Sequence, residues 1–217
     1  MRKNLYKIIT LGAAWGIFEA TAGYVLHLFG LKIGWMIWFP AAYFFIHHAY
    51  RYTNSFLSIM LTALIASSLK MINLFFPGRV DMVINPAVSI ILEALAVMLI
   101  YKYVINGQKD KINPLTILLT GFTWRTLYIC YILCMPQSYI DIAPFTTMNS
   151  FLEYMFLNNV VNVVFISTGF LAAKVLKKQF AVVSDWLKTT VNSKAIIKPA
   201  FAAVSMALAI IVQVFVR

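Results

Sequence analysis

The chain has few charged residues and very few acidic ones. Of its 217 residues, 12% are charged, Asp and Glu together number 7, and 62% are hydrophobic. Soluble domains are close to a quarter charged, so a soluble enzyme or binding module is not expected. Two cysteines make no disulfide framework, and metal-ligand, phosphate-loop and nucleotide motifs are absent. We therefore expect no metal, no cofactor and no ATP hydrolysis by this chain.

Long apolar runs take the place of the missing charge. Each is close to the ~20 residues that a helix needs to cross a hydrocarbon core. They cover approximately residues 5–29, 33–50, 56–76, 84–104, 114–135, 151–176 and 195–216. This pattern predicts an all-α, polytopic transmembrane bundle of six or seven spans. We divide it into a six-span bundle at 1–176, a basic amphipathic linker at 177–194 and a probable seventh span at 195–217.

Lysine and arginine residues fall mostly on one side of these spans. With the N-terminus inside, thirteen of the 18 basic residues are cytoplasmic and three, Lys32, Arg79 and Arg217, are external. This asymmetry follows the positive-inside rule. It predicts a cytoplasmic N-terminus and linker, in a protein of the plasma membrane. It also accounts for the net charge of +11 without nucleic-acid binding.

Two Asn-Pro pairs predict where helices start. Asn85 precedes Pro86, and Asn113 precedes Pro114. Asparagine is a favoured N-cap residue, and proline is favoured in the first helical turn. The fourth and fifth spans are therefore expected to begin at these pairs.

Five ionisable residues lie inside the apolar runs, at mid-depth or in the outer half. They are Glu19, Lys70, Glu93, Arg125 and Glu153. Each costs several kcal/mol if it faces lipid, with estimates from ~2.5 kcal/mol upward. We expect them to line one polar cup, open to the outside, that binds a solute. The alternative is that Glu19 pairs with Lys70, and Glu93 with Arg125, only to fix helix registry.

Neutral side chains near these charges complete the predicted solute site. Asn158 and Asn162 lie in the sixth span and are expected to offer hydrogen bonds to the solute. Trp15, Trp124 and Tyr128 are expected to stack on a ring. The mixed charge of the cup fits a zwitterion, an anion or a cation equally well.

A stripe of small residues, Gly12, Gly16 and Ala20, runs along the first span. In lipid, this spacing allows close approach of another helix, from the same chain or from a different protein. With six spans and a polar outer half, the stripe resembles the substrate-binding S component of energy-coupling factor transporters. The resemblance implies capture of a small solute from outside, and docking through the stripe on a coupling membrane protein that works with ATPases. The seventh segment departs from that pattern.

The leading prediction is a solute-binding or transport protein that is not itself an enzyme. Three alternatives stay open. One is a proton-coupled secondary transporter, in which an intramembrane carboxylate carries the proton. Another is a membrane-embedded enzyme that uses Glu19 or Glu93 as acid or base. The last is a structural membrane partner whose charges pair internally.

Overall fold

The computed structural model describes residues 4–30, 33–107, 112–136, 147–179 and 197–215. Across these ranges the chain forms helices and no strand, as predicted. The helices are α1 (Leu5–Leu28), α2 (Gly34–Thr53), α3 (Phe56–Met71), α4 (Asp81–Leu99), α5 (Pro114–Leu133), α6 (Met148–Leu152), α7 (Asn158–Gln179) and α8 (Ile197–Phe215). A 3-10 turn (Ile72–Phe75) extends α3, a π-helical turn (Ile100–Val104) extends α4, and a second π-helical turn (Glu153–Leu157) joins α6 to α7. The predicted linker lies almost wholly outside the described residues.

In the described part of the chain, five helical segments are long and apolar enough to cross a membrane. They are Leu5–Leu26, Phe56–Phe75, Asp81–Val104, Pro114–Leu133 and Met148–Val175. In α8 the apolar stretch is shorter, Pro199–Phe215. These segments support the predicted membrane bundle.

The remaining long helix, α2, lies in the centre of the bundle. It contacts α1, α3, α4 and α7. Its buried residues are Phe39, Ala42, Tyr43, Ile46, His47, Ala49 and Tyr50. Because other helices surround it, α2 can carry polar groups that bond inside the protein. His47 Nδ1 lies 3.0 Å from the Tyr101 hydroxyl, which donates to the Tyr43 hydroxyl at 3.1 Å. Such polar groups lower the hydropathy of α2 relative to the five apolar segments.

The two Asn-Pro pairs behave differently. At the start of α5, the Asn113 side chain accepts from the Thr116 N–H at 3.0 Å, and the Thr116 hydroxyl accepts from the Asn113 N–H at 3.0 Å. The predicted cap at Asn113 is confirmed. The cap predicted at Asn85 is wrong, because α4 begins earlier, at Asp81, and Pro86 lies inside the helix. Proline has no N–H, so α4 lacks one backbone hydrogen bond in this turn.

The small-residue stripe of α1 packs against helices of the same chain. A Cβ on Gly12 would lie 2.7 Å from a side chain of α3, and one on Gly16 would lie 2.6 Å from another. Gln213 of α8, which is fully buried, donates from Nε2 to the Gly16 carbonyl at 3.0 Å. Ala20 is buried as well. α3 and α8 therefore cover the two glycines of this stripe, as expected if its partner helix belongs to the same chain. Docking of a separate protein along the stripe stays a prediction.

The last helix runs in the same direction as the first. Ala13 and Ala209 belong to one small hydrophobic cluster. About one turn further along each helix, Gly16 and Gln213 share a hydrogen bond. The N-terminal ends of α1 and α8 therefore lie at the same end of the bundle. This is the arrangement expected if the N-terminus and the predicted linker share one side of the membrane.

Replacing Gly12 with alanine is expected to destabilise the bundle by roughly 1–3 kcal/mol, the usual cost of overpacking a core. The new methyl would lie 2.7 Å from Ile65 Cβ and 3.0 Å from the Thr62 carbonyl oxygen, so α3 would have to move. Thermal unfolding in detergent measures the effect. Gly23→Ala is the control, because the nearest atom there belongs to the Trp38 ring at 3.8 Å. Equal melting temperatures for Gly12→Ala and the wild type would contradict the close approach.

Candidate functional site

A cavity of about 290 Å³ lies in one end of the bundle. Its walls come from the C-terminal halves of α1, α3 and α5, the N-terminal part and middle of α4, the N-terminal half of α2, and the junction of α6 with α7. Short turns connect most of these helices, so consecutive helices alternate in direction. The cavity therefore lies at the end opposite the N-terminus of α1. With a cytoplasmic N-terminus, this is the outer half of the membrane.

Four of the five ionisable residues predicted from the sequence line this cavity. They are Glu19 of α1, Lys70 of α3, Glu93 of α4 and Arg125 of α5. The predicted convergence of these four side chains is confirmed. Three predicted neutral residues share the wall: Trp124, Tyr128 and Asn158.

The fifth ionisable residue, Glu153, does not line the cavity. It is exposed and begins the π-helical turn Glu153–Leu157. A π-helical turn contains more residues than an α-helical one, so it shifts the phase of the side chains around it. The next residue, Tyr154, is the one that lies in the cavity wall. The prediction for Glu153 is corrected for this reason.

Two further predicted residues, Trp15 and Asn162, lie behind the wall rather than in it. Both are fully buried. Trp15 Nε1 donates to Glu19 Oε1 at 3.2 Å. The Asn162 carboxamide contacts Arg125. Trp15 and Asn162 therefore contact charged residues of the cavity and are not part of its wall.

Each cavity carboxylate is held by one donor from its own helix. Trp15 donates to Glu19, and the Ser89 hydroxyl donates to Glu93 Oε1 at 3.3 Å. Both donors precede the carboxylate by four residues, which places donor and acceptor on the same helix face. Glu19 is 6% exposed and Glu93 is 3% exposed. The carboxylates are thus oriented and largely buried, at the edge of a cavity.

Direct ion pairs do not hold the cavity together. Among the residues that the structure describes, one salt bridge has a nitrogen–oxygen distance of 4.0 Å or less, between Arg79 and Asp81. Arg79 lies in the connection before α4 and Asp81 at its start. In the predicted alternative, Glu19 pairs with Lys70 and Glu93 with Arg125. Neither pair lies within 4.0 Å, but the charges of each pair interact at longer range. The pairing alternative therefore stays a prediction.

Arg125 is held by neutral groups instead of a carboxylate. It is 1% exposed. Its Nη1 donates to the Gly121 carbonyl at 3.1 Å and to Asn159 Oδ1 at 3.2 Å. Its Nη2 donates to the Asn162 carboxamide oxygen at 2.9 Å, when that amide is oriented to donate to the Trp35 carbonyl at 3.1 Å. Arg125 therefore connects α5 to α7, and through Asn162 to α2.

Aromatic rings surround the Arg125 guanidinium. Its Cζ lies 4.9 Å from the Trp124 ring centre, 5.5 Å from that of Tyr154 and 5.9 Å from that of Phe39. These distances fall within the range of cation–π attraction. Hydrogen bonds and rings together stabilise the buried charge, and they fix the wall of the cavity on the α5 side.

Most of the aromatic wall was missed from the sequence. Trp35, Trp38, Phe39 and Tyr154 line the cavity. In an apolar run, a ring carries no signal of whether it faces lipid, core or cavity. Ser89 was also missed, although a usable signal was present: a hydroxyl four residues before a glutamate inside a predicted span.

The described residues contain no group of three or more His, Cys, Asp or Glu side chains that would hold a metal ion. No protein-family model matches the chain, and no match was found among curated proteins or solved structures. The interpretation of function therefore depends on the geometry and charge of the cavity.

Proposed function

We propose that the protein is an integral membrane protein that binds or transports a small polar solute in this cavity. The observation that carries the proposal is the meeting of four ionisable side chains from four helices around a cavity of about 290 Å³. In the described part of the chain, none of the four forms a direct ion pair. Ionisable groups in apolar helices are costly and typically mark a substrate or ion pathway. A bound solute would add direct contacts to Glu19, Lys70 and Glu93, whereas Arg125 already donates to groups of the protein.

The basic-residue asymmetry supports a plasma-membrane protein with a cytoplasmic N-terminus. In that orientation the cavity opens outward, as in the S components that the sequence resembles. A coupling membrane protein with ATPases would then supply the energy for uptake. Such a partner would have to dock on a surface other than Gly12 and Gly16, because α3 and α8 cover them.

A proton-coupled secondary transporter is the second candidate. Glu19 and Glu93 are both buried, and both line the same cavity. Neighbouring buried carboxylates are suited to carry a proton with the solute. The two candidates differ in one measurement, uptake into liposomes that contain the purified chain alone. Accumulation driven by a proton gradient without an ATPase would favour the secondary transporter.

Equilibrium dialysis of the purified protein against a mixture of polar metabolites tests the binding function. We expect the wild type to retain a solute, detected by mass spectrometry. Glu93→Gln is expected to bind it at least tenfold more weakly, since the change removes charge and leaves the volume of the side chain almost unchanged. Melting temperatures verify that each variant is folded.

Glu153→Gln is the matched control for this experiment. It makes the same chemical change at an exposed position outside the cavity wall. We expect it to bind like the wild type. A folded wild type that retains no solute would count against the binding function, and so would equal affinity in the wild type and Glu93→Gln.

A further inference from the structure

We propose that the solute is a small organic cation carrying a planar ring, with its charge between Glu19 and Glu93 and its ring against the aromatic wall. The inference rests on the proposed binding function and specifies the class of solute. Charge, hydrogen bonding, aromatic lining and size support it separately.

The polar groups left available to a solute in the cavity are mainly carboxylates. Arg125 is 1% exposed, and both of its Nη atoms donate to neutral groups of the protein. Its donors are therefore largely used in packing α5 against α7, while its charge acts on Glu93. Of the other ionisable residues in the wall, two are carboxylates and one is Lys70. In their ionised forms they favour a cation over an anion, because a bound anion would add a further negative charge beside two carboxylates.

Both carboxylates have capacity for a ligand. Glu19 and Glu93 each accept one hydrogen bond, at Oε1. Within the described ranges of the chain, the second oxygen of each accepts none. Both carboxylates line the same cavity, so a cation bound there can contact both. Attraction between opposite charges is stronger in a low-dielectric bundle than in water.

The aromatic wall suits a ring that carries positive charge. Trp35, Trp38 and Tyr128 line the cavity in addition to the rings that cover Arg125, and the Tyr128 ring centre lies 6.2 Å from that of Trp124. Trp35 is 37% exposed, and the other two are half-buried. Aromatic faces attract cations, tryptophan most strongly, and they also stack on planar rings.

Size and ligand chemistry narrow the class further. At about 290 Å³, the cavity is near the lower end of the ~300–1,000 Å³ of typical small-molecule sites. One ring with short substituents fits this space. A bare Ca²⁺ or Mg²⁺ ion is a poorer match, because these ions take six or more oxygen ligands and six of the sixteen wall residues are aromatic. The described residues also offer no group of three or more His, Cys, Asp or Glu for such an ion.

Three probes with the same benzyl group and a tetrahedral head group of different charge test the inference. They are benzyltrimethylammonium, the neutral benzyl methyl sulfone and the anion phenylmethanesulfonate. Isothermal titration calorimetry is done with the protein in phosphatidylcholine nanodiscs, whose zwitterionic lipid does not attract one probe by net charge. We expect the cation to bind at least tenfold more tightly than the other two. Its affinity should fall at least tenfold in Glu19→Gln and in Glu93→Gln, and stay unchanged in Glu153→Gln.

The outcomes separate this inference from the binding function on which it rests. If phenylmethanesulfonate binds more tightly than the cation, and Lys70→Met abolishes this binding, the proposal that the solute is a cation is wrong. The proposed binding function would still stand. If the wild type binds none of the probes, the solute retained in the dialysis experiment tests the inference about the solute class. A retained anion or neutral molecule overturns the inference alone, and a retained ring-bearing cation supports it. If neither experiment yields a ligand, both proposals fail. Glu19→Gln and Glu93→Gln are made and measured separately, so the test can still be carried out if one of them does not fold.

Discussion

Arg125→Lys is expected to lower the stability of the bundle by about 3 kcal/mol, although it conserves the charge. Lysine presents its donors at a single point, whereas the guanidinium forms a planar fork. A lysine cannot reach the Gly121 carbonyl, Asn159 and Asn162 together. Buried acceptors would then lose their charged donor, and the stacking of a planar group on Trp124 would be lost. Thermal and urea-induced unfolding in detergent measure the change.

Arg79→Lys is the matched control for that substitution. Arg79 also carries a charge-assisted contact, to Asp81 at 2.7 Å, but its side chain is 57% exposed. Exposed ion pairs contribute little, so the control is expected to leave the melting temperature unchanged. An unchanged melting temperature in Arg125→Lys would show that charge alone, and not the geometry of the guanidinium, stabilises the cavity wall.

Gly121→Ala is expected to be the most damaging of the glycine substitutions, at about 2–4 kcal/mol, because it overpacks a buried polar contact. The position of the new Cβ is already occupied by Asn159 Oδ1. Asn159 also donates to the Leu118 carbonyl at 3.2 Å and accepts from Arg125. The methyl would push the carboxamide away from both partners. We therefore expect lower stability together with weaker solute binding, since Arg125 forms part of the cavity wall.

Gly169→Ala controls for the general effect of alanine in a helix. Gly169 lies in α7, and no atom is found within 4 Å of its ideal Cβ. Its replacement is expected to cause no loss of stability. A double-mutant cycle with Asn159→Ala tests the cause of the loss at Gly121. Removing the carboxamide should make the added methyl much less costly, so the two changes should not be additive. Strict additivity would contradict the steric conflict with Asn159.

The sequence was sufficient to predict that charged residues meet in the bundle. Glu19, Lys70, Glu93 and Arg125 lie at similar depths in otherwise apolar helices, and lipid penalises each of them. Because the four side chains lie at similar membrane depths and each would be costly in lipid, they were expected to face one common space inside the bundle. All four line the cavity. The start of α5 was equally readable, because an asparagine cap followed by proline is a local signal.

Other features depend on contacts that no local pattern contains. Glu153 was expected in the cup, but the π-helical turn places Tyr154 there. The spacing of side chains around that turn cannot be read from an assumed period of 3.6 residues. Asn162 was expected to bind solute, but it satisfies Arg125, whose position depends on the packing of α5 against α7. The predicted start of α4 was wrong because the helix begins at Asp81, before Asn85. Pro86 therefore lies inside the helix, which tolerates it.

The contact between α1 and α8 can form only at the end of the synthesis of the chain. The hydrogen bond from Gln213 to Gly16 joins residues 197 positions apart. Chains are synthesised from the N-terminus, so α1 enters the membrane while α8 is still untranslated. At that stage α3 can already cover Gly12 and Gly16, but the face of α1 that holds Ala13 and the Gly16 carbonyl still lacks α8. Small-residue surfaces allow close helix approach in lipid. Until α8 arrives, this face of α1 is therefore open to other helices in the membrane.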